Sequence, residues 1–408
     1  IVDMPQNISQ LRESPPTFKA CTSSWLDPLI ERFCTGSDLS TGDPYDIWKT
    51  ACGFQVKQFY NRHSWAGLAP AATLTVFDTF VNNGMRIGYR RQEYAIVRAL
   101  AVLCLLNRYE EGGQQNLLAC AGRHLDWLIE NSCGGPKNCC WGLGFAYGAG
   151  PTVVYNADTP LSTMTPYALE AMVRYAEVTG DERLPGAIDR IFTFFDRDIQ
   201  VMAEDRESMA TSYGPFRDRI VINALSYTMY SLALALPYVG RPPQPRTAEK
   251  IGKLYRYIQR EQRPDGSWFY SPQGRSFIDC FHSCIVLKNV FKTNQLMRLP
   301  GAEDLIAAGY AYVKSAFFDE KCRLFRRFSL ANKPSIVRFD LYDNAEALNL
   351  AVLLGDRDLA VTLLASIRAE FCRGRDVYSQ IDQTGTRRNR NTLRWAVLPF
   401  LHAASQMV

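Results

Sequence analysis

The sequence predicts an all-α fold, an (α/α)6 toroid of six helical hairpins set as an inner and an outer ring. Three observations predict it. Helical periodicity dominates, alternating strands of useful length are missing, and two classes of helix recur along the whole chain. The 408 residues are 47% hydrophobic and 21% charged, ordinary globular values that exclude a mainly disordered chain. That length suits one large repeat-built domain. The organisation read from it is a single toroid over residues 1–408, with 1–45 as an N-terminal extension and first outer-helix region.

One helix class is apolar and aromatic near its end: Phe59-Tyr60, Trp127-Leu128, Phe194-Phe195, Tyr257-Ile258, Tyr312-Val313 and the weaker Ile367 to Phe371. Successive first positions lie 68, 67, 63, 55 and 55 residues apart. A second class, apolar on most sides, begins near Tyr94, Thr165, Val221, Phe277, Asp343 and Thr392. A helix apolar all round is a buried helix, so the second class is assigned to the inner ring and the amphipathic class to the outer. Six pairs fit a closed ring, with an open solenoid as the alternative. The links agree with this plan. Tyr257 to Trp268 closes a helix in a Pro264-Asp265-Gly266 turn, and Pro237 to Pro245 reads as a linker between units.

Net charge is +5, with no Lys/Arg run of the kind nucleic-acid arms carry, so an anionic partner is permitted and nucleic acid is not expected. No window of 18 apolar residues is free of charge, so no membrane span is expected. Ile1 to Pro5 shows neither a basic nor an apolar leader pattern. The twelve cysteines have no disulfide-scaffold spacing, which predicts a reducing, cytoplasmic setting, or a periplasmic one if a signal peptide has been removed. Cys139-Cys140 and Cys280 to Cys284 lack a second ligand pair at zinc spacing, so neither metal nor cofactor is assigned.

In such a ring the N-terminal ends of the inner helices and their lead-in loops line the mouth, bringing free N–H groups and partial positive charge. Five of the six starts bring arginine: Arg90 and Arg91, Arg217 and Arg219, Arg275, Arg338, then Arg388, Arg390 and Arg394. Guanidinium forks suit carboxylates, so Arg217, Arg219, Arg338 and Arg394, with Asn223, are the substrate-binding candidates. Flat aromatics in the links suit sugar rings, and Trp141 and Tyr270 are assigned that role. Asp279 and His282, at i and i+3, share a helix face in the pattern of an aspartate orienting an imidazole base. Tyr213 is the second proton-transfer candidate, and His63 a further histidine in a link. Asp343 and Glu346 also share a face. With Asp279 across the ring they offer a glycosidase pair, against the plainer reading that Asp340 or Asp343 caps its helix.

Several short motifs run in order along nearly the whole chain: Gly42-Asp43-Pro44-Tyr45-Asp46, Cys140-Trp141-Gly142, Thr165-Pro166-Tyr167, Ser212-Tyr213-Gly214-Pro215 with Val221-Ile222-Asn223-Ala224, Asp265-Gly266-Ser267-Trp268, Ile278 to Ser283, and Leu393-Arg394-Trp395. In that order they resemble the α/α-toroid proteins of bacterial exopolysaccharide and capsule clusters. A fainter similarity, from Tyr213 to Leu232, is to the helical domain of glucuronyl C5-epimerases. The Gln and Trp spacing before and after Pro264 resembles the QW repeat of terpene-cyclase toroids, which implies a structural pair, with a looser echo from Trp127 through Gly134-Gly135 to Trp141. The resemblance implies a carbohydrate role. Three readings follow: an epimerase or lyase abstracting a proton from an acidic, uronate-containing polysaccharide; a hydrolase using paired carboxylates; and a non-catalytic glycan-binding protein of an assembly system. A terpene-cyclase role is disfavoured because an Asp-x-Asp-Asp type of motif is missing.

Overall fold

Outer and inner helices alternate along the chain. α1 (Pro16–Cys34) is followed by a two-helix insertion, α2 (Ala51–Arg62) and α3 (Ser64–Val76), and then by α4 (Ala95–Gly112). After it come α5 (Gln115–Glu130), α6 (Thr165–Thr179), α7 (Leu184–Thr193), α8 (Ile222–Ala235), α9 (Pro245–Arg260), α10 (Cys280–Leu296), α11 (Ala302–Phe317), α12 (Leu341–Leu354), α13 (Arg357–Phe371) and α14 (Leu398–Ser405). This computed structural model describes residues 16–133, 138–239, 245–273, 276–332 and 334–408. Arg275, Gly134-Gly135 and most of the linker after Pro237 lie outside them.

The even-numbered helices from α4 to α14 form the inner ring. Each packs on the next, and α14 packs back on α4, which closes the ring. The chain is an (α/α)6 toroid. α1 covers the seam by packing on both α4 and α14. The composition of each class explains its place. Every residue of α8 is buried, as is almost every residue of α12. The outer α9 buries Ile251, Leu254, Tyr255 and Ile258, a one-sided i, i+3, i+4, i+7 stripe. Each fully buried Leu or Ile of these helices contributes about 1.5–3 kcal/mol relative to exposure.

The two ends of the toroid differ. Inner-to-outer turns are tight, and Gly180 (φ 69°) and Gly355 (φ 74°) end their helices in the left-handed region that glycine adopts without strain. Outer-to-inner links are long and hold short antiparallel strands: β1 (Tyr147–Gly148) with β2 (Val154–Tyr155), β3 (Val201–Glu204) with β4 (Met209–Thr211), β5 (Ile278–Asp279), β6 (Phe318–Asp319) with β7 (Leu324–Phe325), β8 (Phe328–Leu330), β9 (Val337–Asp340), β10 (Cys372–Arg373), β11 (Asp376–Asp382) and β12 (Arg387–Arg390). β5 pairs with β8, and β11 joins β9, β10 and β12 in one sheet. The periodicity missed these strands because most have two to four residues, too few to display a period of two.

One repeat position departs from expectation. Phe59-Tyr60 lies in the insertion helix α2, not in the outer ring, whose first helix is α1. Tyr60 lies at the close approach of α2 and α3, where a Cβ on Gly67 would stand 2.4 Å from the Tyr60 Cα, and Phe59 is exposed. The Gln and Trp pair has the structural role its resemblance implied. Gln262 Nε2 donates to the Gly266 and Leu305 carbonyls (3.2 and 3.0 Å), and Trp268 Nε1 donates to the Ile258 carbonyl at the end of α9 (2.9 Å).

Candidate active site

The long links and the inner-helix N-termini enclose a cavity of about 440 Å³ at one end of the ring. Its lining is amphipathic: seven tyrosines and two tryptophans, with Lys57, Arg219, Arg327 and Arg394 set against the single lining carboxylate Asp340. Arg219, Arg327 and Arg394 each stand against a carboxylate, so the lining offers paired guanidinium groups beside flat aromatic faces, which fit a polar, ring-shaped ligand.

His282 sits in the first turn of α10, carried there by β5, and lines this cavity. Its Nδ1 lies 2.8 Å from both Asp279 carboxylate oxygens. Asp279 is buried, so it fixes the imidazole from behind. The ring is wedged between Phe281 (centroids 3.8 Å apart) and Tyr270 (4.7 Å), and Tyr270 in turn stacks on Phe277 (4.7 Å). With Nδ1 engaged, Nε2 is the nitrogen offered to a ligand. Sequence spacing placed Asp279 and His282 on one face, and the structure brings them into direct contact.

Arg219 leads into α8. Its guanidinium covers the Tyr213 ring at 4.6 Å, and its Nε stands 3.4 Å from Asp218, which also accepts from the Tyr155 hydroxyl. That single-point contact leaves the outer fork for the cavity. Asn223, one turn further on, lines the same space, and its Oδ1 is buried without a hydrogen-bond partner. A buried unpaired carbonyl costs about 1–3 kcal/mol, so it marks a place where a ligand donor is expected. Tyr213 accepts from the Thr163 hydroxyl at 3.1 Å. Burial pushes its phenol above the ordinary value, with Arg219 opposing, so Tyr213 is a neutral O–H group rather than a base.

At the floor, three inner-helix tyrosines meet. The Tyr167 hydroxyl lies 2.6 Å from that of Tyr227 and 3.3 Å from that of Tyr342. Burial raises all three phenols, which keeps them neutral. The sequence reading did not place these tyrosines in the site. Each is a tyrosine in the first two turns of an inner helix. Arg327 was missed as well. It reaches in from the β7–β8 link, 3.3 Å from Asp340 and 3.7 Å from Asp343, and nothing in its local sequence separates it from Arg326.

Other assignments change. Trp141 is buried, and its Nε1 donates to the Leu128 carbonyl at the end of α5 (3.0 Å), the same helix-end role as Trp268. It is not among the cavity-lining residues. Asp340 caps α12 by accepting from Tyr342 N at 2.9 Å. Asp343 is fully buried and accepts from Phe281 N at 3.1 Å, and burial raises its carboxyl well above the usual range against the pull of Arg327. Glu346 pairs with Lys288 lower in the bore, lining a small internal space with Glu170, Lys292 and His402. Asp343 and Glu346 therefore do not flank the main cavity, because the helix face they share turns toward the ring interior. Arg394 lines the cavity beside Asp43 (2.8 Å), sandwiched by Tyr94, Phe145 and Trp395, and its Nη1 is buried without a hydrogen-bond partner. Arg217 is exposed, and Arg338 lies over Phe339; neither lines the cavity. His63 is exposed on the insertion, against Phe59.

No protein-family model and no curated protein matches the chain by sequence. Solved structures do match. A cellobiose 2-epimerase from Spirochaeta thermophila aligns at a TM-score of 0.56 with 13% identity, covering 96% of this chain and 98% of its own. An unsaturated glucuronyl hydrolase from Streptococcus agalactiae aligns at 0.56 with 11% identity, covering 100% and 96%. A sugar epimerase from a ruminal bacterium aligns at 0.54 with 12% identity, covering 78% and 89%. These likenesses are to the toroid fold.

Proposed function

We propose that this chain is a carbohydrate-active enzyme that abstracts the C5 proton of a uronate residue in an acidic saccharide, with epimerisation as the outcome. The observation that carries it is the buried Asp279 holding His282 at the wall of a tyrosine-lined, arginine-bearing cavity. Support also comes from the names of the structural neighbours, which include sugar epimerases and a glucuronyl hydrolase.

Each group has a defined task in this reading. Arg219 takes the uronate carboxylate and spreads the negative charge that builds when the C5–H bond breaks. His282 Nε2 takes the C5 proton, and Asp279 stabilises the imidazolium that results. Tyr213, held neutral by burial, returns a proton to the opposite face of C5 and is recharged from solvent; His282 releases its proton in turn. Atoms balance, since one proton leaves and one arrives. Asn223 accepts from a sugar hydroxyl. The cytoplasm is the proposed setting, in keeping with twelve cysteines that are all free.

The test is proton NMR of uronate-containing polysaccharides incubated with the protein in heavy-water buffer. Loss of the H5 signal without chain cleavage supports the proposal. Vinylic signals assign a lyase, in which the C4–O bond breaks after the same proton abstraction. New reducing ends assign a hydrolase and remove His282 from the role of C5 base.

A further inference from the structure

Among the described residues, fourteen large hydrophobic side chains are exposed, and nine of them fall between residues 59 and 87. Seven belong to the α2–α3 insertion and the π-helical turn (Phe77–Asn82) that continues α3, and Met85 and Ile87 follow that turn. Trp65 is 92% exposed, Ile87 69%, Met85 62% and Leu68 58%. α3 packs on α2 and the turn that follows it, and its other side faces outward. Two further exposed residues, Val154 and Phe216, stand beside the same rim, with Phe216 against Tyr155. The patch therefore borders the mouth of the cavity, whose wall includes Phe54 and Lys57 of α2. An apolar patch of this kind marks an interaction surface.

Charge selects the occupant. From Ala51 to Gln92 the chain carries five cations, Lys57, Arg62, Arg86, Arg90 and Arg91, and one acid, Asp78. Arg86 is paired with Asp46 and Lys57 lies in the cavity wall, which leaves Arg62, Arg90 and Arg91 as the cations beside the apolar stretch. Between Ser64 and Asn82 no cation interrupts the apolar stretch, and the cations lie at its two ends. Asp78 is occupied by the Tyr89 hydroxyl. A symmetric pair of chains would set these arginines against their own copies, which is unfavourable. An apolar face with an exposed tryptophan and flanking arginines matches the interface of an anionic bilayer. No described helix is long and apolar enough to cross a membrane, so the segment would lie in the interface plane.

We propose that the α2–α3 insertion is a peripheral membrane-docking element for anionic lipid, which sets the cavity mouth at the headgroup level, facing saccharide presented there. The docking rests on exposure and charge, and the orientation toward saccharide rests on the function proposed above.

The test is flotation of the whole chain with phosphatidylcholine vesicles, with and without phosphatidylglycerol, at low and high salt, alongside its solution mass. The proposal expects flotation with the anionic vesicles, weakened by salt. A Trp65→Ser/Leu68→Ser variant is expected to bind about tenfold or more weakly, and Arg90→Gln/Arg91→Gln about 25-fold, near fivefold per charge. Both variants should keep the wild-type circular dichroism and its turnover of soluble saccharide. Protein that stays with the buffer at every lipid composition overturns the proposal. So does a dimer that Trp65→Ser/Leu68→Ser converts to monomer, which would seat a second copy on this face.

Discussion

A carboxylate only accepts hydrogen bonds, so Asp279 at 2.8 Å from Nδ1 assigns the ring proton to that nitrogen and leaves Nε2 with the lone pair. His282→Ala is therefore expected to lower kcat about 10²–10⁴-fold, with Asp279→Asn lowering it through a misoriented ring. If both variants turn over at the wild-type rate, the proton-transfer assignment is wrong. Arg219 is expected to act on both binding and the chemical step. Arg219→Ala removes a charged hydrogen-bonding partner of about 1.5–3 kcal/mol, lowering kcat/KM roughly 10–100-fold for a uronate and weakening binding of its neutral, carboxyl-reduced analogue little. Trp141 makes the opposite prediction. Trp141→Phe loses the bond to the Leu128 carbonyl and costs about 1 kcal/mol in denaturant unfolding, with KM unchanged. These contrasts also show what single residues disclosed in the sequence. The Asp279/His282 spacing was legible because a helix fixes what i and i+3 share. Arg327 and the floor tyrosines were not, because their convergence depends on links and helices far apart in the chain.

Elements are positioned by what their ends are satisfied with. Both helix-end tryptophans and the Asp340 cap follow local geometry, which is why the Pro264-Asp265-Gly266 stretch was readable from sequence. The face of α12 that carries Asp343 and Glu346 was not readable, since periodicity gives a shared face but not its direction. Glu346 is buried against Lys288, and Lys292 pairs with Glu170 at 2.6 Å nearby. Removing one charge of a buried pair strands the other. Glu346→Gln is expected to destabilise the fold by about 3–5 kcal/mol, read as a lowered denaturation midpoint, while the folded variant keeps its KM. A changed KM at full stability would return Glu346 to the substrate site.

Over the whole molecule, the six-pair count and the inner-ring starts were legible because a closed ring repeats one unit, whereas the insertion escaped because it interrupts that repeat once. The ring also buries two histidines. His124 has Nε2 2.7 Å from the Cys34 carbonyl and Nδ1 2.7 Å from Arg98, and burial, with Arg98 adding to it, lowers it to about 4. Burial lowers His402 to about 3. A histidine depressed in the folded state takes up its proton first in the unfolded chain, so stability falls as pH drops below about 6.5 and continues to fall toward 4. The loss is expected to reach a few kcal/mol, visible as a falling melting temperature at constant salt; a flat profile from pH 7 to 4 would contradict the burial of both rings. The central claim is that His282 removes a proton from C5 of a uronate. Its most direct measurement is the exchange of the H5 signal into heavy water on a uronate polysaccharide, for wild type and His282→Ala side by side, with matched circular dichroism. Exchange is expected with the wild type and is lost in the variant. Equal exchange by both proteins, or cleavage by the wild type with H5 retained, would contradict it.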